Sequence, residues 1–390
     1  MKSHAVSLSM AACLLCILPS LAGCSRINET PLETSYVNSE SSLSASEEKD
    51  NSCYIYSLLS DKEKEYYNIL RDAAMNFEPL AVFPEKIEPE ILRKVFVAVY
   101  YQEEDIFWLT SMFFRPTEPS DSLKLTYRFD KEEIPSMQTE LDQAVEEIFS
   151  SLAENASDYE KIKVFHDRLV TGCTFSKDNK YGNTVYGALC AGYAQCEGYS
   201  FAFDYLCRKA DIDCFTVMGT NPDGDAHAWN MVMLDNMWYN VDCTWDDPIL
   251  DPPDKEFIRH YYFLTADSDI CGITHIPDST YFELPSCTSG INYYKREGLL
   301  AASAAEGIDM LARAAGIAAQ MGRKDAAVRF ADRNGYETAV SKLFDGNQVR
   351  KVMTEYNSVS DRRVLENKYI RYCNDDELII HISMIYEDSQ

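Results

Sequence analysis

The 390 residues include 46 % apolar and 12 % aromatic side chains, enough apolar surface for two or three compact units. With 63 acidic against 36 basic residues the net charge is −27, which excludes a nucleic acid partner, whose phosphates would be repelled. Lys2 and His4 precede an apolar run from Ala5 to Leu21. That run is short and closes in small residues, so it reads as an export signal and not as a membrane span. The following stretch, Ser25 to Asn51, is rich in Ser, Glu and Asn. It cannot bury enough surface to offset its ordering entropy, so residues 25–51 are expected to form a flexible tether.

Residues 52–152 predict an α/β lead-in. Asp61 to Ala74 carries Tyr66, Ile69, Leu70 and Ala73 at helical spacing, and Glu90 to Tyr101 reads as a second helix. Phe107-Trp108-Leu109 and Leu123 to Phe129 read as strands, the latter with Leu123, Leu125, Tyr127 and Phe129 on one face. Ile134 to Leu152 is a long amphipathic helix. Residues 153–291 form the next unit, opened by the capping box Ser157-Asp158-Tyr159-Glu160, with Ile162, Phe165 and Leu169 as the buried stripe. From 186 to 248 the pattern is helix, strand, hairpin. Tyr199, Ala202, Phe203, Leu206 and Ala210 are helically spaced, and Cys214 to Gly219 is strand-like. His227 to Leu234 and Met237 to Trp245 flank a two-residue turn at Asp235-Asn236. Residues 292–390 predict a small C-terminal α/β domain in which no chemistry is visible. Its expected elements are a helix over Arg296 to Met321, a strand over Ala326 to Ala331, a helix over Glu337 to Leu343, and strands over Lys368 to Tyr372 and Leu378 to Tyr386.

The hairpin fixes a geometry. A turn at 235–236 pairs Leu234 with Met237, Met231 with Asn240, Trp229 with Asp242 and His227 with Thr244. His227, Trp229, Asn240 and Asp242 then share one face, with His227 and Asp242 as diagonal neighbours roughly 7–8 Å apart. Ala228, Val232, Leu234, Met237, Tyr239 and Val241 form the other, core-facing side, which leaves His227 and Asp242 beside Trp229 as the wall of a cleft. Cys196 starts the helical stripe that follows it, where loose backbone N–H groups and the macrodipole favour the thiolate. Cys196 as nucleophile, His227 as base and acid, and Asp242 as the orienting carboxylate make a generalised triad. The competing readings are an inert buried thiol and an incidental His–Asp contact.

Four blocks in order resemble the bacterial transglutaminase-like core: Tyr186-Gly187-Ala188-Leu189, Cys196-Glu197-Gly198-Tyr199-Ser200, His227-Ala228-Trp229-Asn230, and Trp238 to Pro248. Lys161 to Asp167 looks like the helix preceding that core. The resemblance covers residues 155–250 and implies an α+β, papain-like fold in which an antiparallel sheet bears His227 and Asp242 and a helix bears the nucleophilic Cys196. Cys243 and Gly192-Tyr193 depart from the family's usual residues. Cys190, six residues before Cys196, is a weaker nucleophile candidate because it begins no helical stripe. His166 reads as a structural histidine, and His275 as a residue bordering the cleft without an assigned role. The loop Asn221 to Asp225 reads as a turn, and Asp246 and Asp247 as turn and capping residues.

Leu21-Ala22-Gly23-Cys24 resembles the bacterial lipobox, which implies a lipid on Cys24, residues 1–24 as signal and lipobox, and a protein held on the outer face of the cytoplasmic membrane. Of thirteen cysteines, Cys13 and Cys16 leave with the signal and Cys24 takes the lipid; the remainder offer no CxxC spacing for a structural zinc. The expectation is a cell-surface cysteine acyl-transfer enzyme acting on amide bonds of proteins or peptides, by proteolysis, deamidation or cross-linking, without metal or cofactor. The alternative is a catalytically silent transglutaminase-like scaffold of the cell envelope.

Overall fold

The computed structural model describes residues 54–110, 118–247 and 257–387. The expected export signal, Cys24 and the expected tether lie outside these residues. The fold is α+β with a transglutaminase-like, papain-like core. Two capping boxes open helices, the second of them as the sequence predicts. Ser60 with Glu63 starts Asp61–Met75, and Ser157 with Glu160 starts Asp158–Gly172.

The central sheet has five strands in the order Phe263–Thr265, Met237–Val241, Ala226–Leu234, Cys214–Thr220, Ile276–Pro277, antiparallel throughout. Helix Cys196–Lys209 lies against it. Every residue of that helix from Gly198 to Cys207 is buried, as expected for a helix covered on all sides. The sheet covers one side and Asp158–Gly172 another. Tyr100 and Tyr101 of helix Pro89–Gln102 pack edge-on and tilted against Phe201. Leu70, Val99, Phe203 and Val232 therefore belong to one continuous apolar cluster, which joins the lead-in to the central sheet.

The C-terminal residues build a second sheet, ordered Leu300–Ala301, Asp325–Phe330, Ile379–Tyr386, Val364–Asn374. Helices Ala304–Gln320 and Val349–Val359 cover it, and Leu311, Val328, Val352, Ile380 and Ile382 fill a separate apolar cluster.

Several expected elements differ. Phe107-Trp108-Leu109 is no strand; Leu109 makes a single bridge to Tyr127. The strand expected over Leu123–Phe129 is Ser120–Lys124, although Leu123, Leu125 and Phe129 are buried as their alternation implies. The helix expected over Arg296–Met321 is divided. Gly298 takes φ 66, Leu300–Ala301 pairs in parallel with Arg329 and Phe330, and Ser303 caps a new helix through the Glu306 N–H. The helix expected over Glu337–Leu343 is Arg333–Val340, capped by Asp332. Helix Val349–Val359 was not expected.

Candidate active site

The helix bearing Cys196 is pinned at its start. Gln195 is extended (φ −95, ψ 178) and its side chain makes no cap bond, so the first-turn N–H groups remain open to another acceptor. The Gln195 N–H donates to Gly182 O at 2.8 Å. Gly198 lies so close to the same carbonyl that a Cβ there would stand 2.3 Å from Gly182 O and 2.9 Å from Ala194 Cβ. Gly198→Ala should therefore lower stability by about 1–3 kcal/mol, the cost of overpacking. Urea unfolding monitored by tryptophan fluorescence checks this, and an unchanged midpoint would contradict it.

The sheet's contribution begins at the turn. Asp235 and Asn236 take φ 54 and 61, the left-handed pair required by a two-residue hairpin. The register is as predicted from Leu234–Met237 through Met231–Asn240 to Asn230–Val241. The ladder ends there. Asp242 leaves it as the N-cap of the short helix Cys243–Asp246, so the pairs Trp229–Asp242 and His227–Thr244 are replaced by a helical turn. The expected cleft-wall face is also buried, with Trp229 and Asn240 fully enclosed, while Met237 on the core-facing side is exposed. Trp229 Nε1 donates to Asn240 Oδ1 at 3.0 Å, and Asn240 Nδ2 donates to Asp267 Oδ1 at 3.0 Å.

Two bonds lock helix to hairpin. Asn230 Nδ2 donates to Ser200 O at 3.0 Å, and the Tyr199 hydroxyl donates to Asp247 Oδ2 at 2.6 Å. One turn earlier on the helix, Cys196 lines a cavity together with Gln195, His227, Thr244 and Trp245. His227 Nε2 donates to Asp242 Oδ2 at 2.6 Å, leaving Nδ1 for the neighbouring sulfur. Burial works against a charge on His227. The Asp242 charge and hydrogen bond, then the Cys196 sulfur, outweigh it and lift the imidazole to about 10. Burial likewise pushes the Asp242 carboxyl up, but the His227 charge and the bonds from His227 and His275 hold it well below its usual range. The structure thus brings Cys196, His227 and Asp242 together.

Residues 146–243 match the model of the transglutaminase-like superfamily. That span includes Cys196, His227 and Asp242. Over 239 residues, 52 % of this chain, the sequence is 25 % identical to the kyphoscoliosis peptidase of Homo sapiens and 24 % identical to that of Mus musculus. Each match takes in 35 % of the relative, so the chain spans about a third of the length of these curated relatives. A crystal structure of a TGase aligns with 30 % of this chain and 34 % of its own, at 19 % identity and a TM-score of 0.26.

Within this transglutaminase-like region the other sequence candidates also find places. Cys190 sits on a half-buried π-helical turn, Gly187–Ala191, where burial and Glu140 push its thiol up to about 12. It is therefore protonated at neutral pH, unlike a reactive cysteine. All nine described cysteines, Cys196 included, are free thiols. His166 is fully buried, donating through Nδ1 to Asp167 Oδ1 (3.0 Å) and through Nε2 to Asp246 Oδ2 (3.1 Å). Asp246 is more than a turn residue. Its Oδ1 accepts the Tyr261 N–H at 2.8 Å, so it ties the short helix to Asp158–Gly172 and to the chain before Phe263–Thr265. His166, Asp167 and His260 are close enough to share a metal ion, as are His227, Asp242 and His275. Both groups are already joined by hydrogen bonds.

His275 is the residue that sequence reasoning placed at the cleft without a role. It is fully buried, and its Nε2 donates to Asp242 Oδ2 at 2.9 Å. The sequence signal was a lone His in Gly272-Ile273-Thr274-His275, which gives no direction. Thr244 Oγ1 and Trp245 Nε1, on two residues lining the cavity, are buried and have no hydrogen-bond partner among the described residues.

Proposed function

We propose that the protein is a cysteine acyltransferase or hydrolase acting on amide bonds of proteins or peptides, exported and held on the membrane's outer face by a lipid on Cys24. The observation that carries this reading is the His227–Asp242 hydrogen bond of 2.6 Å beside the Cys196 thiol, at the start of a buried helix. In the proposed reaction His227 holds the Cys196 proton, the sulfur attacks the amide carbonyl as thiolate, and His227 gives the proton to the departing amine as the C–N bond breaks. Water or a second amine then loses a proton to His227 and takes the acyl group, releasing the sulfur. The open N–H groups at the helix start are available to the developing oxyanion, and Thr244 and Trp245 offer buried donors to a bound substrate. The Leu21-Ala22-Gly23-Cys24 motif supports the anchor.

The test is mass spectrometry of candidate envelope proteins incubated with the protein and with Cys196→Ala. Ammonia loss, cleavage or new isopeptide bonds that require Cys196 support the reading. Their absence across substrates, together with Cys196 labelling that ignores His227, would leave a scaffold.

The raised imidazole also predicts a pH dependence. A folded-state value of about 10 for His227 lies above the unfolded value of roughly 6.5, so the folded state binds the extra proton. This stabilisation is complete below about pH 6.5 and is lost as pH rises through about 10. Urea midpoints measured from pH 6 to 10 should fall, and the fall should be shallower in His227→Gln. Equal slopes for the two proteins would contradict the assignment.

A further inference from the structure

The Asp242 carboxylate accepts three hydrogen bonds, and the reaction proposed above uses one. Oδ1 accepts from Trp245 N at 3.0 Å, which is the helix cap. Oδ2 accepts from His227 Nε2 at 2.6 Å and from His275 Nε2 at 2.9 Å. We infer that His275 is a positioning residue for this site, holding the Asp242 carboxylate in the orientation, and as the charged partner, that steers His227. The inference rests on the acyl-transfer reading.

The fold delivers His275 specifically. Strand Cys214–Thr220 has a neighbour on each side, and Gly219 pairs with His227 on one and with Pro277 on the other. The absent side chain of Gly219 permits this. A Cβ there would lie 2.2 Å from Ile276 O and 2.8 Å from the Trp229 ring. Two residues before Pro277, the His275 N–H donates to Ile270 O at 3.0 Å, and its carbonyl accepts the Gly272 N–H at 2.7 Å. Its ring lies 4.8 Å from those of Trp229 and Trp245, and 5.5 Å from Tyr262.

The carboxylate beside the ring selects its tautomer. Burial pushes His275 down, and the pull of Asp242 does not restore it, so the imidazole is neutral. Asp242 is an ionised acceptor, which places the single proton on Nε2. Nδ1 then accepts from the Thr274 hydroxyl at 2.9 Å. The titratable groups facing the pair are His227 from strand Ala226–Leu234, Asp246 from helix Cys243–Asp246, and Cys243 and Tyr262, whose phenol burial pushes up. None of them can replace a neutral N–H donor at Oδ2. Losing that donor raises the proton affinity of Asp242 and frees its carboxylate to rotate.

The test is the rate of Cys196 alkylation by chloroacetamide in the full chain, followed by peptide mass spectrometry from pH 4 to 9. His275→Ala should slow the neutral rate about tenfold and move the acid limb upward by about one pH unit, the scale set by one hydrogen bond to a charged group. His275→Gln, which keeps an N–H donor, should recover most of both. Thr274→Val releases the tautomer and should move the limb in the same direction by less. It decides the matter if His275→Ala does not fold. A lower plateau or melting temperature with the acid limb unmoved overturns the inference, because a purely structural histidine does that. Labelling of the unchanged protein that ignores His227 overturns the acyl-transfer reading and the inference with it. His227-dependent labelling with an unmoved limb overturns the role of His275 alone.

Discussion

His227→Ala should slow alkylation of Cys196 at pH 7 by about 10²–10⁴, the range in which a positioned proton-holding side chain contributes to reaction at a nucleophile. The reason is local. The imidazole stands beside the sulfur and is held as its charged form by Asp242. Truncation removes the cation next to the nucleophile. Labelling of Cys190 should not change, because burial and Glu140 govern that thiol. Cys190 therefore serves as the internal control in a single peptide-mass experiment. A parallel loss at both cysteines would indicate a general opening of the structure and would contradict the assignment.

Asp242→Ala is expected to produce the largest stability loss of any single change at the site, about 3–5 kcal/mol. Three donors depend on this carboxylate: the buried rings of His227 and His275, and the Trp245 N–H, which opens helix Cys243–Asp246. Removing one partner of a buried charge pair leaves the other uncompensated, which costs more than the pair itself contributes. Asp242→Asn should be milder, because the amide keeps the shape and can still accept the Trp245 N–H. Denaturant titration of the three proteins at pH 7 checks the order: unchanged, Asn, then Ala. An Ala variant within about 1 kcal/mol of the unchanged protein, the scale of a solvent-exposed pair, would contradict a buried hub.

The site was legible in the sequence where local chemistry determined geometry. Asp235-Asn236 between two alternating runs specified a two-residue turn, and that turn set the register that brings His227 toward Asp242. Ser157 and Glu160 announced the helix that precedes the core. Cys196 at the head of an apolar stripe marked the helix start. What was not legible depended on contacts between distant segments. Asp242 was expected to continue a strand, but its side chain caps a helix that the sequence pattern alone did not favour. His275 lies 33 residues from Asp242, and only the pairing of Ile276–Pro277 with Gly219 and Thr220 brings it there. Asp246 looked like one member of an acidic turn, whereas burial against His166 makes it an anchor. In the C-terminal part, Gly298 and the Ser303–Glu306 cap were available signals for dividing the long helix, but the Ala-rich run concealed them.

Nitrogen-15 NMR of the histidine side chains in the unchanged protein measures the ring itself. His227 should carry protons on both nitrogens from neutral pH up to about 10, and should lose one near neutral pH in Asp242→Asn. A His227 that is singly protonated at pH 7 in the unchanged protein would show that the carboxylate does not hold the imidazole charged, and would contradict the account of a site in which His227 already carries the proton meant for the leaving amine.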